Sequence, residues 1–216
     1  PHSCACFIEA KLIGFNALAP ASPTRELPAR IPEDARLERG PAYAVAGNVE
    51  PPPMSARDDW PTYRHDPARS GGTSSAVPSR LMQLWRAELG GRLSSPVIAG
   101  GKLFVVSIDT HTVHVLDAAR GTALWHYTAG GRIDSPPTVS GELAVFGSAD
   151  GWVHCLRADD GKLAWRYRTA PVDQRLVAFG QLESVWPVHG SVLVENGVVT
   201  CAAGRSSYLD SGIYLF

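Results

Sequence analysis

Three histidines are the first candidates for chemistry, because imidazole is a common metal ligand and general base. His111 and His114 lie three residues apart, and His154 follows His114 by 40 residues. On a strand, side chains three positions apart point to opposite faces, so His111 and His114 cannot converge on one ion without distortion. The spacing favours structural or surface roles over a metal site.

Two other patterns resemble catalytic or phosphate-binding motifs. Ser206, Ser207 and His189 could form a nucleophile and base, but the sequence has no Gly-x-Ser-x-Gly elbow between a strand and a helix. The stretches 90–92 and 130–132 both read Gly-Gly-Arg, but no helical pattern follows them to offer a helix N-terminus to a phosphate. We therefore predict no catalytic residue, and we interpret these stretches as turns whose arginines are candidate ligand contacts.

Overall charge and cysteine content exclude several classes of protein. The chain carries 20 Lys+Arg and 21 Asp+Glu, with no basic cluster, which argues against a nucleic-acid partner. No apolar run approaches the roughly 18 residues of a membrane span. The four cysteines, Cys4, Cys6, Cys155 and Cys201, match neither a zinc motif nor a disulfide framework. A Cys155–Cys201 bridge stays possible, but buried thiols are the favoured interpretation.

The elements that position these residues come from an internal repeat. Trp85, Trp125 and Trp165 are spaced by 40 and 40 residues, and the stretches 86–125 and 126–165 align without a gap. Fourteen of their 40 aligned positions are identical, among them the Gly-Gly-Arg turns and the final tryptophan. A repeat of this length is typical of solenoids and propellers.

Each repeat contains four short runs of strand type, which we designate A to D. In the first repeat they are Val97–Ile98, Leu103–Val106, Val113–Leu116 and Ala123–Trp125. Four strands in about 40 residues correspond to one blade of a β-propeller. The sequence therefore predicts an all-β propeller of four-stranded blades, partial, with about three blades. A tryptophan on strand D is predicted to fill the wedge between neighbouring blades.

The regions outside the two regular repeats predict the domain organisation. Residues 20–58 hold 8 of the 17 prolines and are interpreted as an extended Pro-rich linker or a surface-hugging segment. Residues 1–19 are interpreted as the tail of a preceding domain, and residues 59–216 as the propeller segment, truncated at the C-terminus.

Two insertions in the third unit predict a binding face. Val194–Cys201 matches Val139–Phe146 at an offset of 55 rather than 40, and a second insertion spans Gly204–Gly212. In a four-stranded meander, D-to-A connections and B-to-C turns open onto one side of the disc, and insertions restricted to one side often bind ligands. The candidate binding residues are Arg92, Arg132, Asp134, Arg175, Gln181, Glu183, Trp186, His189, Arg205, Tyr208 and Asp210. An equal alternative is that the long loops only cover the channel or pack on another domain.

The stretch Leu116–Trp125 and its copy Leu156–Trp165 resemble the tryptophan-docking repeat of pyrroloquinoline quinone (PQQ) repeat β-propellers. Asp58–Asp66, followed by Arg69–Gly71, resembles the segment that commonly opens such propellers in bacterial secreted proteins. The family includes quinoprotein alcohol dehydrogenases and the non-catalytic outer-membrane barrel-assembly lipoprotein, which this chain resembles more closely. The copy departs from the docking motif at Arg157, where Asp is usual.

This resemblance implies a function by comparison of residues. In the family's enzymes, PQQ is held with Ca²⁺ by acidic and amide side chains, often beside a disulfide of two adjacent cysteines, and Cys4 and Cys6 are not adjacent. The expected function is a non-catalytic binding or scaffold module of a bacterial extracytoplasmic protein, whether periplasmic, cell-envelope or secreted, with no cofactor. Its expected partners are a protein or small ligand on the loops, together with further blades and a preceding domain of the same chain. The alternatives are part of a PQQ-dependent dehydrogenase and an accessory domain of a multidomain enzyme.

Overall fold

The computed structural model describes residues 29–46, 59–208 and 212–216. These residues form short strands, with a 3-10 turn at Glu33–Ala35 and a four-residue helix, α1 (Tyr43–Ala46). The strands, in chain order, are β1 (Leu37–Arg39), β2 (Val97–Ala99), β3 (Lys102–Ser107), β4 (Thr112–Asp117), β5 (Ala123–Thr128), β6 (Thr138–Ser140), β7 (Leu143–Gly147), β8 (Trp152–Arg157), β9 (Leu163–Arg168), β10 (Arg175–Ala178), β11 (Gln181–Ser184), β12 (Leu193–Glu195), β13 (Val198–Thr200), β14 (Ala202–Ala203) and β15 (Tyr214–Leu215).

The two sequence repeats form two antiparallel meander sheets, which confirms the predicted propeller blades. Strands β2 to β5 follow one another across the first sheet, and β6 to β9 do the same in the second. Even a local irregularity recurs, because the register shifts between Val115 and Leu116 and again between Cys155 and Leu156. Strands β3, β4, β7 and β8 are mostly buried, since both faces of a blade are covered by its neighbours.

Two of the three repeated tryptophans bond to the blade that follows them in the chain. The indole Nε1 of Trp125 at the end of the first repeat donates to the carbonyl of Ala158 at 3.1 Å, and Nε1 of Trp85 donates to the equivalent carbonyl of Ala118 at 2.9 Å. Gly161, with φ +71°, lies under the Trp125 ring, where an added Cβ would come within 2.5 Å of Cε3. Trp125 therefore fills the space between the blades as predicted, and it also donates a hydrogen bond and packs closely on a glycine of the second blade.

The third unit contains two β-ribbons and is preceded by an inserted hairpin. Strands β12 and β13 pair where the sequence predicts strands A and B. Strand β14, which ends just before the second insertion, pairs with β15, which follows it. Of that insertion, residues 204–208 and 212 lie in the described part of the chain. The first insertion forms the hairpin β10–β11, which has no counterpart in the two regular repeats.

Part of the Pro-rich region packs on the second blade. Strand β1 pairs antiparallel with β9, so the blade gains a fifth strand at its outer edge. The carboxylate of Glu38 accepts a hydrogen bond from Nε of Arg166 at 2.7 Å. Within residues 20–58, the described stretch 29–46 thus follows the surface-hugging interpretation. Residues 1–19 lie outside the described part, and the predicted domain boundaries stay predictions.

The opening motif of the propeller lies along the inner edges of the blades. Trp60 exchanges two backbone hydrogen bonds with Ile98 on β2, and the carbonyl of Pro61 accepts from the amide of Val139 on β6. The hydroxyls of Thr62 and Thr138 lie 2.8 Å apart. Since β2 and β6 are the inner strands of their blades, this segment links the two blades on the side opposite the tryptophans.

Cys155 and Cys201 are buried free thiols, so the favoured sequence interpretation holds over the possible disulfide. Both belong to the apolar cluster between the second blade and the third unit. Burial raises the pKa of Cys155 to about 12 and that of Cys201 to about 11, which keeps both thiols protonated and unreactive. Cys4 and Cys6 lie outside the described residues.

Candidate binding face

The inserted hairpin β10–β11 lies across the turns of both regular blades. Its two-residue loop, Phe179–Gly180, has φ of +52° and +76°, the backbone required by a tight hairpin turn. Gln181 Oε1 is 2.9 Å from Nε2 of His111 in the β3–β4 turn, and the amide of Ser184 donates to Ala149 in the β7–β8 turn at 2.7 Å. The D-to-A insertion and the two B-to-C turns therefore share one side of the propeller, which we name the loop face.

Five of the predicted binding residues form a continuous chain of charges on the loop face, which we name the charge chain: His189, Asp134, Arg132, Glu183 and Arg205. Asp134 accepts from His189 Nδ1 and from Arg132 Nε, each at 2.6 Å. Glu183 lies between Arg132 Nη1 at 2.8 Å and Arg205 Nη2 at 2.7 Å. The chain joins the β5–β6 loop, the hairpin and the third unit.

Glu183 and Arg132 are the buried members of the charge chain, and His189, Asp134 and Arg205 are partly exposed. The side chain of Glu183 is 0% exposed and that of Arg132 is 8% exposed, whereas those of His189 and Arg205 are 35% and 21% exposed. Burial alone would raise the pKa of Asp134, but the hydrogen bonds from His189 and Arg132 outweigh it and lower the pKa to about 2. Asp134 is therefore ionised at neutral pH and ties two loops together.

Protonation of Asp134 is expected to weaken the fold in acid. The pKa of Asp134 in the folded protein, about 2, lies below the ordinary value of 3.8. The stabilisation that its ionised carboxylate gives to the folded state is therefore complete above about pH 4 and is lost as the pH falls through 2. A shift of this size corresponds to roughly 2 kcal/mol. Thermal unfolding of Asp134→Asn between pH 5 and pH 2 should show a flatter acid dependence than the unchanged protein. Asp173→Asn, which alters an exposed carboxylate, should retain the full dependence; equal profiles for all three proteins would contradict the assignment.

The other predicted binding residues lie outside the charge chain. Arg92 pairs with Asp109 at 3.1 Å, and Arg175 pairs with Asp173 at 3.3 Å. Gln181 holds His111, as described above, and Tyr208 is exposed. Asp210 lies outside the described residues.

Trp186 requires a correction. The sequence predicts an aromatic anchor open to a ligand, but Trp186 is only 7% exposed and belongs to a small apolar cluster with Ala170 and Val185. Val172 and Leu176 pack against the same cluster. Trp186 is therefore part of the base that supports the hairpin. Composition cannot separate an exposed indole from a buried one, because both occur in long insertions.

Sequence reasoning missed the apolar surface of the hairpin. Val177, Phe179 and Leu182 are 63%, 62% and 54% exposed, and Val177 and Leu182 are cross-strand partners. The available signal was the short apolar run Leu176–Ala178, which leads into a Phe-Gly turn. This signal was concealed by the irregular sequence around it.

The three histidines make contacts of the structural kind favoured by the sequence. His114 Nε2 lies 3.1 Å from the Ser107 hydroxyl, and burial lowers its pKa. The buried ring of His154 stacks on Phe146 with centroids 5.2 Å apart. Residues 29–46, 59–208 and 212–216 contain no group of three His, Cys, Asp or Glu side chains placed to hold a metal ion.

The two carboxylates of the charge chain are not free to bind the Ca²⁺ of a calcium-bound quinone. Calcium requires several free oxygen ligands. Both carboxylates of the charge chain are already held by basic side chains. Asp134 contacts Arg132 and His189, whereas Glu183 contacts Arg132 and Arg205. The expectation that the chain takes no cofactor stays a prediction.

The fold and the tryptophan contacts define a β-propeller of the PQQ-repeat class. Two blades of sequential strands, with Trp125 bonded to the following blade, place the chain in this class. The chain belongs to the family of the outer membrane protein assembly factor BamB, because the model of that family matches residues 79–207. Comparison with curated protein sequences gives no match.

Similar solved structures include BamB and two dehydrogenases, and the two dehydrogenases agree with this chain on the fold. BamB from Moraxella catarrhalis is 22% identical over 62% of this chain and 36% of its own, with a TM-score of 0.46. Quinohemoprotein alcohol dehydrogenase from Comamonas testosteroni is 22% identical over 77% of this chain and 27% of its own, with a TM-score of 0.52. A europium-containing methanol dehydrogenase is 19% identical over 69% and 28%, with a TM-score of 0.56. This chain thus spans about a third of the length of these proteins or less.

Across the described stretches of the chain, no helix has both the length and the apolar character needed to span a bilayer.

Proposed function

We propose that this chain is a non-catalytic propeller module of a bacterial extracytoplasmic protein and that it binds a partner protein through the loop face. The observation that carries the proposal is the hairpin β10–β11. Its inner side is clamped onto two blades through Gln181 and Ser184, while Val177, Phe179 and Leu182 are turned to solvent. A rigidly supported apolar surface is typical of protein-binding sites.

The conformation of Phe179 supports this proposal. Tight hairpin turns favour Asn, Asp or Gly at positions of positive φ, and a bulky residue there costs about 1 kcal/mol or more. Phe179 nevertheless has a φ of +52°, and its ring is 62% exposed. The guanidinium of Arg132 lies 4.9 Å from the ring centroid and holds it in place by a cation–π contact. Backbone strain at an exposed aromatic residue favours a role in recognition over a role in packing.

The family adds a class of partner to the proposal. The matching family is named for a factor in outer membrane protein assembly, so a protein partner in the bacterial envelope is the expectation for this chain. This expectation also accounts for the extracytoplasmic location that we propose.

Site-specific photo-crosslinking tests the proposal in cells that express the full-length protein. A crosslinking amino acid at Phe179 should give one discrete adduct, and the same group at Arg120, an exposed residue in the turn between β4 and β5, should give none. Val177→Ser with Leu182→Ser should reduce the Phe179 adduct at least tenfold. The melting temperature should change little, because both side chains are mostly exposed.

The outcomes separate the two sides of the propeller. Adducts that form from Arg120 but not from Phe179 would place binding on the opposite side and contradict the proposal. An adduct at Phe179 that is unaffected by the double serine change would show proximity without recognition, which would also count against the apolar hairpin as the contact surface.

A further inference from the structure

The charge chain alternates acidic and basic side chains and has a basic side chain at both ends. Its order is His189, Asp134, Arg132, Glu183 and Arg205, and each neighbouring pair lies within 2.8 Å. Both carboxylates lie inside the chain, each between two basic side chains. Glu183 is completely buried, whereas the side chains of His189, Asp134 and Arg205 are 35%, 27% and 21% exposed, so both basic ends reach the surface, beside one partly exposed carboxylate.

The two ends of the charge chain lie on neighbouring segments. The amide of Gly204, next to Arg205, donates to the carbonyl of Pro187 at 3.0 Å, and Pro187 is two residues from His189. The chain of charges thus curves so that both ends are carried by adjacent backbone. A negatively charged group between them would continue the alternation of charge and close it into a ring.

Both terminal side chains have unused hydrogen-bonding capacity. Within the described part of the protein, Arg205 donates through Nη2 to Glu183 and Ser184, and its Nε is buried without a hydrogen-bond partner. His189 is bonded through Nδ1 to Asp134. When protonated, its ring also donates from Nε2. A buried guanidinium nitrogen without a partner calls for an explanation, such as an ion that belongs at the site.

We infer that His189 and Arg205 together bind an oxyanion on the loop face. Guanidinium and imidazolium groups recognise carboxylate, sulfate and phosphate by charge-assisted hydrogen bonds. The buried Glu183 holds Arg205 in position through the contact with its Nη2. This inference goes beyond the proposed function, because it concerns a polar site in the charge chain and not the apolar surface of the hairpin.

The oxyanion can come from two sources, a free small molecule or a carboxylate of a partner protein. Titration of the full-length protein with inorganic sulfate, in chloride-free buffer, should shift the His189 ring resonances in a saturable way and leave those of His126 in place. A parallel titration compares a short peptide that ends in a free carboxylate with the same peptide amidated. Tighter binding of sulfate indicates the free molecule, and tighter binding of the carboxylate peptide indicates the partner.

Variants assign the binding to the two named side chains. Arg205→Gln should weaken the binding of sulfate at least tenfold, and Arg205→Lys, which keeps the charge beside Glu183, should weaken it less. Arg86→Gln removes an exposed arginine that pairs with Glu88 outside the charge chain, and it should leave the binding unchanged.

Three results would overturn the inference. They are the absence of a saturable shift at His189 with every probe, equal affinity in Arg205→Gln and the unchanged protein, and equal binding of the amidated and carboxylate peptides without any response to sulfate. If the Arg205 variants do not fold, the titration of the unchanged protein decides, since it compares His189 with His126 in one sample. Failure of this test would leave the crosslinking result at Phe179 intact, because that experiment reads a different surface.

Discussion

Replacement of Trp125 by alanine is expected to lower the free energy of unfolding by about 3 kcal/mol. The half-buried ring packs against the core of the first blade, with its centroid 6.1 Å from that of Phe104, and it covers Gly161 of the second blade. Alanine leaves a void between the blades and removes the hydrogen bond from Nε1 to the carbonyl of Ala158. Urea denaturation of the full-length protein measures the change.

A neighbouring residue provides the control for Trp125. Leu124→Ala, on the same strand but with a 47% exposed side chain, should cost less than about 1 kcal/mol. Gly161→Ala tests the other side of the contact, because the new Cβ would lie 2.5 Å from the Trp125 ring at a backbone φ of +71°. A loss below about 1 kcal/mol for Trp125→Ala would contradict its role as the joint between blades.

Replacement of Glu183 by glutamine is expected to cost a similar amount, about 3 kcal/mol. Glu183 is the buried link between Arg132 and Arg205, and glutamine has nearly its shape but no charge. Removing one partner of a buried ion pair leaves the other charge desolvated without compensation. The penalty falls mainly on Arg132, which is 8% exposed and keeps Asp134 as its ion-pair partner.

Glu88→Gln is the matched control for Glu183, because it makes the same chemical change in an exposed pair with Arg86. Exposed pairs contribute little, so a change within about 0.5 kcal/mol is expected. A double-mutant cycle of Glu183→Gln with Arg205→Gln should show coupling between the two sites. Equal small effects of Glu183→Gln and Glu88→Gln would show that the charge chain does not hold the hairpin to the propeller.

The sequence alone determined the blade architecture of this protein. Identical residues at intervals of 40 mark equivalent places in successive blades, as Trp85 and Trp125 show through their equivalent bonds to Ala118 and Ala158. Such a repeat is readable because each blade makes the same local contacts with the next one, so the same residue types recur at the same positions. The order of the strands in each meander also predicted that the inserted residues lie on one side of the propeller.

Only the tertiary structure decided what the inserted residues do. Trp186, Glu183 and Arg205 belong to one irregular region of the sequence, yet Trp186 packs under the hairpin and Glu183 is buried between two arginines. The structure also placed strand β1 on the outer edge of the second blade. These outcomes depend on contacts between residues far apart in the chain, which occur once and are not repeated. The burial and ion pairing of these residues are set by the packing of the blades. No local or repeated pattern of residues in the sequence reveals them.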